Sequence, residues 1–147
     1  MNPSGGTPLY MAPELICPPN FGLQRSQPSR EADIYAFGMV VYEIVMGVRP
    51  FGMENFGANE VMWKVLKGTR PMKPVNAKTI GFGRGVWELV EECWSANRMG
   101  RPKARDVRGH LSAVATRSPT VGPGPAVYIP PTLDISADTM ASGTNCK

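Results

Sequence analysis

The sequence predicts an all-α unit followed by a tail without fixed structure. Three observations carry this. Four segments within the first 116 residues place apolar side chains at helical spacing, and no segment alternates apolar and polar residues as a half-buried strand would. From Arg117 onward Pro, Gly, Ser and Thr dominate and the periodicity vanishes, a composition that cannot bury enough apolar surface to order itself. We therefore divide the chain into a helical unit, residues 1–116, and a disordered tail, residues 117–147. The whole length of 147 residues fits one domain, large enough to bury about two thirds of its unfolded surface.

The first 30 residues are rich in Pro and Gly and read as loop, with one short helical turn over Ala12 to Ile16. The first long helix runs from Arg30 to Met46. Ser29 before it can accept from a free N–H of the first turn. Glu31 and Asp33 set negative charge near the positive end of the helix dipole. Gly47 can take the left-handed stop conformation, and Pro50 prevents resumption. Ile34, Phe37, Val40, Val41, Ile44 and Val45 cover a broad face, and Met39 and Met46 widen it, the pattern of a buried central helix. Three short helices and a loop cannot cover all of Ile34, Phe37, Val41, Ile44 and Val45. A second helix spans Ala58 to Lys67 and stops at Gly68. Residues 71–83 read as loop. A third covers Arg84 to Trp94, where Val86, Leu89, Val90, Cys93 and Trp94 repeat at three and four residues. A fourth spans Ala104 to Ala115, with Val107, Leu111, Val114 and Ala115 inward. Trp94 is expected in the core, Trp63 and Trp87 half-buried, and the single histidine, His110, on the surface.

Composition narrows the function classes. Sixteen Lys and Arg against twelve Asp and Glu give a formal charge of +4, and the basic residues are scattered. No basic run with interleaved aromatics speaks for nucleic acid. Cys17, Cys93 and Cys146 form no C-x-x-C pair, which argues against zinc and redox sites and for free thiols in a reducing compartment. The N-terminus lacks the basic stretch and apolar run of a secretory signal. The longest apolar run, Met39 to Met46, is interrupted by Glu43 and falls far short of the about 20 residues of a membrane span. The expected setting is intracellular and cytoplasmic, with neither nucleic acid nor membrane as partner.

Three ordered blocks then carry a specific resemblance. GTPLYMAPE, from Gly6 to Glu14, resembles the end of a protein kinase activation segment, with Ala-Pro-Glu as its signature. DIYAFGMVVYEIVMGVRPF, from Asp33 to Phe51, resembles the F helix of the kinase C-lobe and the turn after it. CWSANRMGRP, from Cys93 to Pro102, resembles the end of the H helix and the Arg-Pro that opens the I helix. Together they cover residues 5–115, and the wording is most similar to the tyrosine-kinase-like group of serine/threonine kinases. The resemblance implies a partial C-lobe: the end of the activation segment and the F, G, H and I helices.

The same resemblance implies roles. Glu14 and Arg101 would form a buried ion pair, for which the planar guanidinium fork is suited. Asp33 matches an Asp that accepts backbone N–H groups of the catalytic loop. Thr7 matches the Thr that helps place the substrate hydroxyl. Pro8, Leu9 and Tyr10 match the floor that receives the substrate residue after the target. Trp94 would pack between the third helix and the loop carrying Arg101. Two departures stand out: Arg98 replaces a usual Pro, and Lys103, a poor N-cap, replaces a small polar residue. Both suggest relaxed local geometry.

A complete kinase needs a Gly-rich loop over the phosphates, a strand Lys with its Glu partner, an H-R-D Asp, and an Asn and a D-F-G Asp for magnesium. None occurs in the sequence; GFGRGV, residues 81–86, has the wrong spacing and follows no strand. No cofactor is therefore expected in this chain, although ATP and magnesium are implied for a complete family member. The first expectation is a truncated piece of a kinase acting on protein Ser/Thr or Tyr, inactive alone. The alternatives are a non-catalytic module that binds a protein through its helix surfaces, and a decayed remnant. Protein substrates or partners would meet the C-lobe surface, with self-association through an exposed F helix as a further expectation.

Overall fold

A computed structural model describes residues 7–52, 56–75 and 83–117, and these are helical or irregular throughout, with no strand among them. The order is a 3₁₀ turn at Pro8–Tyr10, α1 at Pro13–Ile16, a second 3₁₀ turn at Pro18–Phe21, α2 at Arg30–Met46, α3 at Ala58–Leu66, α4 at Arg84–Cys93, a third 3₁₀ turn at Arg98–Gly100 and α5 at Ala104–Arg117. The tail beyond 117, and with it Cys146, lies outside the described residues, as do Gly5, Gly6 and residues 76–82.

α2 begins and ends where its sequence directs. Ser29 Oγ accepts from the Ala32 N–H at 3.2 Å, and Gly47 turns left-handed at φ 67°, its N–H bonded to Glu43 O. α3 stops one residue before the expected end: Lys67 is its C-cap, and Gly68 follows at φ 84°. α5 is longer than expected, reaching Arg117. Lys103 has no capping side chain, yet the start of α5 is not relaxed. Asp106, three residues on, reaches back to accept from the Lys103 N–H at 3.2 Å, which is half of a capping box. Arg98 likewise sits in a closed turn, with the Asn97 side chain accepting from Met99 N and the Arg101 N–H bonding to Arg98 O.

The core lies where α2 meets the first two 3₁₀ and α1 segments, α3 and α4. Met11, Ala12, Ile16, Tyr35, Met39, Tyr42, Val61, Val65, Trp87, Val90 and Trp94 make one buried cluster. Ile34, Leu89, Cys93 and Val107 make a second where α2, α4 and α5 meet. The approach of α2 to α4 is close because position 38 has no side chain. A Cβ on Gly38 would stand 3.0 Å from Cys93 Cβ.

α2 is buried on one side only. Tyr35, Met39 and Tyr42 are covered, while Val40 is 40 % exposed and Ile44 74 % exposed, and Phe37, Val41 and Val45 are half-buried. The described neighbours reach one face of a helix that is apolar nearly all round. The tryptophans also depart from expectation. Trp87 is buried, edge-on to Trp94 with centroids 5.6 Å apart, whereas Trp63 points outward at 65 % exposed. Helical phase separates them: Trp63 lies away from Val61 and Val65, the residues that α3 buries.

Candidate functional site

The segment 7–14 is fixed to the helical body at two points. At its end, Glu14 is gripped by Arg101. Nη1 donates to Oε1 at 2.6 Å and Nη2 to Oε2 at 2.8 Å, with both side chains buried. The same guanidinium donates from Nη1 to Glu31 O at 2.9 Å and from Nε to Ser95 O at 2.9 Å. Four bonds from one planar group join α1, the start of α2 and the turn after α4, so the Glu14 and Arg101 charges are partnered where they are buried.

Around this clamp sits a second cation. Arg70 donates to the carbonyls of Trp94 at 2.8 Å, Val65 at 3.1 Å and Thr69 at 2.8 Å, and burial lowers its pKa. The Tyr35 ring meets both guanidiniums, 5.2 Å from Arg70 Cζ and 5.1 Å from Arg101 Cζ, within cation–π range of each. Burial pushes the Tyr35 phenol up to about 12. Trp94 closes the cluster at the C-cap of α4, edge-on to Trp87 and tilted against Tyr42.

At the other end, Thr7 to Tyr10 form the first 3₁₀ turn, seated on α2 and α3. Pro8 provides the fixed φ at the start of the turn. Leu9 and Tyr10 rest partly on the core, and Thr7 is exposed. Tyr10 OH donates to Glu43 Oε2 at 2.5 Å. Burial, then this bond, raises the Tyr10 phenol to about 12. Thus Thr7, Pro8, Leu9 and Tyr10 share one short ledge, and Glu14, Arg101 and Trp94 gather behind it. Asp33 stands apart. It is exposed in the first turn of α2 and lines, with Arg30, Arg98, Arg101 and Lys103, a groove of about 670 Å³ between the starts of α2 and α5.

Sequence reasoning did not find the Tyr10–Glu43 bond or the contacts of Tyr35 with Arg70 and Arg101. Glu43 had left a signal, as the one charge inside an apolar run on a core helix. Arg70 had left none, since its partners are backbone carbonyls.

Among the described residues, the glycine-rich stretch offers no cradle for a phosphate. Gly85, in the glycine-rich stretch, faces α5 instead of a phosphate, and a Cβ there would meet His110 Nε2 at 3.3 Å and Val114 Cγ2 at 3.4 Å. This contact also half-buries His110, which was expected at the surface. Among the described residues no three His, Cys, Asp or Glu side chains gather as metal ligands. Nor is any helix among them long and apolar enough to cross a membrane.

A family model described as the protein kinase domain matches residues 1–111. Similar curated proteins include the dual serine/threonine and tyrosine protein kinase of Mus musculus, 31 % identical over 116 residues, covering 76 % of this chain and 11 % of the relative. The proteins of the same name from Apis mellifera, 31 % identical over 112 residues, and Danio rerio, 30 % over 116, are covered to 10 % and 12 % of their lengths, and cover 74 % and 76 % of this chain. The chain thus spans about a tenth of the length of these relatives.

Proposed function

Because the chain belongs to the protein kinase family and is part of a kinase domain, we propose that its helical unit is the substrate-side portion of a C-lobe serving ATP-dependent phosphoryl transfer to Ser or Thr, and to Tyr, in proteins. The observation that carries this reading is the ledge of Thr7 to Tyr10, held by the part-buried Tyr10–Glu43 bond and, four residues on, by the buried Glu14–Arg101 pair. Phosphoryl transfer depends on positioning and electrostatic stabilisation, and a rigid ledge supplies the first for the protein substrate. On this reading Thr7 orients the substrate hydroxyl, while Pro8, Leu9 and Tyr10 receive the next substrate residue. Asp33, exposed at the start of α2, offers its carboxylate to backbone N–H groups of a catalytic loop. The wording of the three blocks supports a place in the tyrosine-kinase-like group.

The chain alone is inactive on the same reading, since its 147 residues hold no phosphate loop, no H-R-D and no D-F-G. One experiment with two arms tests both statements. Calorimetric titration of ATP–Mg into the purified chain gives no specific heat; one-to-one binding at micromolar nucleotide would refute inactivity. Joined to the ATP-binding portion of a dual-specificity relative, the chain phosphorylates a peptide substrate, and Thr7→Ala lowers kcat/KM. A joined protein that binds ATP but whose peptide turnover ignores changes at Thr7 and Leu9 would refute the ledge. The second reading, a non-catalytic interaction module that binds a protein through its helix surfaces, is favoured by the exposed Trp63 on α3.

A further inference from the structure

α3 is part of the seat of the ledge, yet its own sequence holds it in place poorly. It packs on the Pro8–Tyr10 turn and on α1, where Leu9 and Tyr10 share the core with its buried Val61 and Val65. Its nine residues are too few to persist without tertiary contacts, and Gly57 at its N-cap offers no side chain to the free N–H groups of the first turn. The polar tie lies beyond its other end. Arg70 donates from Nε to the carbonyl of Trp94, the C-cap of α4, at 2.8 Å, and from Nη1 to Val65 O at 3.1 Å and Thr69 O at 2.8 Å. One planar group thus bonds the last turn of α3 and the end of α4 at once, with its Cζ 5.2 Å from the ring of Tyr35 on α2. The segment that follows stays on α4: Pro71 is buried, and Lys73 Nζ lies 5.6 Å from the Trp87 ring centroid. None of the Arg70 bonds goes to a residue of the ledge.

We propose that Arg70 is a positioning residue for the ledge: it fixes α3 against α4 and α2, and through α3 it sets the floor that meets the substrate residue after the target. The proposal rests on the phosphoryl-transfer reading of the ledge. Leu9 and Tyr10 lean on the cluster that α3 enters, so a shift of α3 moves the floor, while Glu14 stays gripped by Arg101. A misplacement of about 1 Å can cost about a hundredfold in rate. The planar fork is what the task needs, since an ammonium keeps the charge but cannot hold three carbonyls in this arrangement.

The test has a structural arm and a kinetic arm. In the full chain, Arg70→Lys and Arg70→Gln speed amide exchange at Tyr10 and Met11, whose N–H groups bond to Thr7 O and Pro8 O, by about tenfold, while the amides of α2 keep their rates. In the chain joined to the ATP-binding portion of a dual-specificity relative, two peptides are compared. One has a large apolar residue after the target hydroxyl; the other has Gly there, which leaves the floor empty. Arg70→Lys raises KM for the first by about tenfold or more, with kcat and the KM for ATP in place and the Gly peptide unchanged. Leu9→Ala, which alters the floor itself, is the reference. Narrowing of the peptide preference by both variants supports the proposal. Narrowing by Leu9→Ala alone overturns it and leaves the ledge reading standing. Indifference of the preference to both variants would overturn the ledge reading and this proposal with it. Equal loss on the two peptides, or exchange sped equally through α2, would reduce Arg70 to a prop for overall stability and overturn the proposal.

Discussion

Arg101 is the residue on which the most structure depends. Its four bonds reach a carboxylate and two backbone carbonyls, and Glu14 has no cation other than Arg101 within bonding distance among the described residues. Removing either partner strands the other charge in the interior, which costs about 3–5 kcal/mol. A double-mutant cycle of Glu14→Ala and Arg101→Ala, read by urea denaturation, is expected to show strong non-additivity; additive losses would mean that the bond contributes nothing. Arg101→Lys is also expected to destabilise, because an ammonium cannot match two carboxylate oxygens and two carbonyls in one plane. The tyrosines give a pH signature. Tyr10 and Tyr35 are raised to about 12, and Tyr42 is raised by burial. The native chain therefore keeps phenol protons that the unfolded chain releases near pH 10. This contribution is fully present below about pH 10 and is lost as pH rises toward about 12. Urea midpoints are expected to hold from neutral pH to about 9 and to fall steeply above about 10, less steeply in Tyr10→Phe.

At the level of elements, the contact between α2 and α4 rests on the missing side chain of Gly38. Gly38→Ala raises helix propensity but drives a Cβ to 3.0 Å from Cys93 Cβ, tighter than nine in ten real Cβ contacts, and Cys93 is fully buried. Overpacking of this kind costs about 1–3 kcal/mol, against a propensity gain of about 1 kcal/mol, so net loss of thermal stability is expected. Restoration by Gly38→Ala with Cys93→Gly would locate the clash. The four long helices were legible in the sequence because each repeats apolar residues at three- and four-residue spacing, and α2 adds a cap at each end. The three 3₁₀ turns were not, since three or four residues hold no period. Lys103 misled because attention to the capping position alone overlooks an acid three residues later. Trp63 and Trp87 could not be told apart by composition; only the phase of each helix against its neighbour decides. The ledge from Thr7 to Tyr10 and the Glu14–Arg101 pair came from motif resemblance, whereas the Tyr10–Glu43 bond joins residues 33 apart and belongs to the fold.

For the whole molecule, the uncovered stripe of α2 sets solution behaviour. Val40 and Ile44 are exposed, with Phe37 and Val41 half-covered beside them. Each large apolar side chain left in water forgoes about 1.5–3 kcal/mol, against a total stability of about 5–15 kcal/mol for a domain. Contiguous exposed apolar surface favours association. The purified chain is expected to bind a hydrophobic dye and to elute larger than a monomer, and Ile44→Lys with Val40→Lys is expected to reduce both effects. A compact monomer with a cooperative melt and no dye binding would show that α2 is adequately covered, and would favour the interaction-module reading over the truncated kinase.

The clamp also bears on the order in which the molecule assembles. Glu14 and Arg101 are separated by 87 residues of chain. Closing a loop of that length costs about 4 kcal/mol in entropy before the contact repays it. The helices between them form from nearer neighbours, so the pair is expected to close late, after the folding barrier has been crossed. A contact absent from the transition state acts as a latch on the native state: its loss leaves the folding rate nearly unchanged and speeds escape. In stopped-flow measurements, Glu14→Ala is therefore expected to raise the unfolding rate while the refolding limb stays in place. The bond that pins the substrate ledge would then govern how long the ledge lasts, with little say in how quickly it is built.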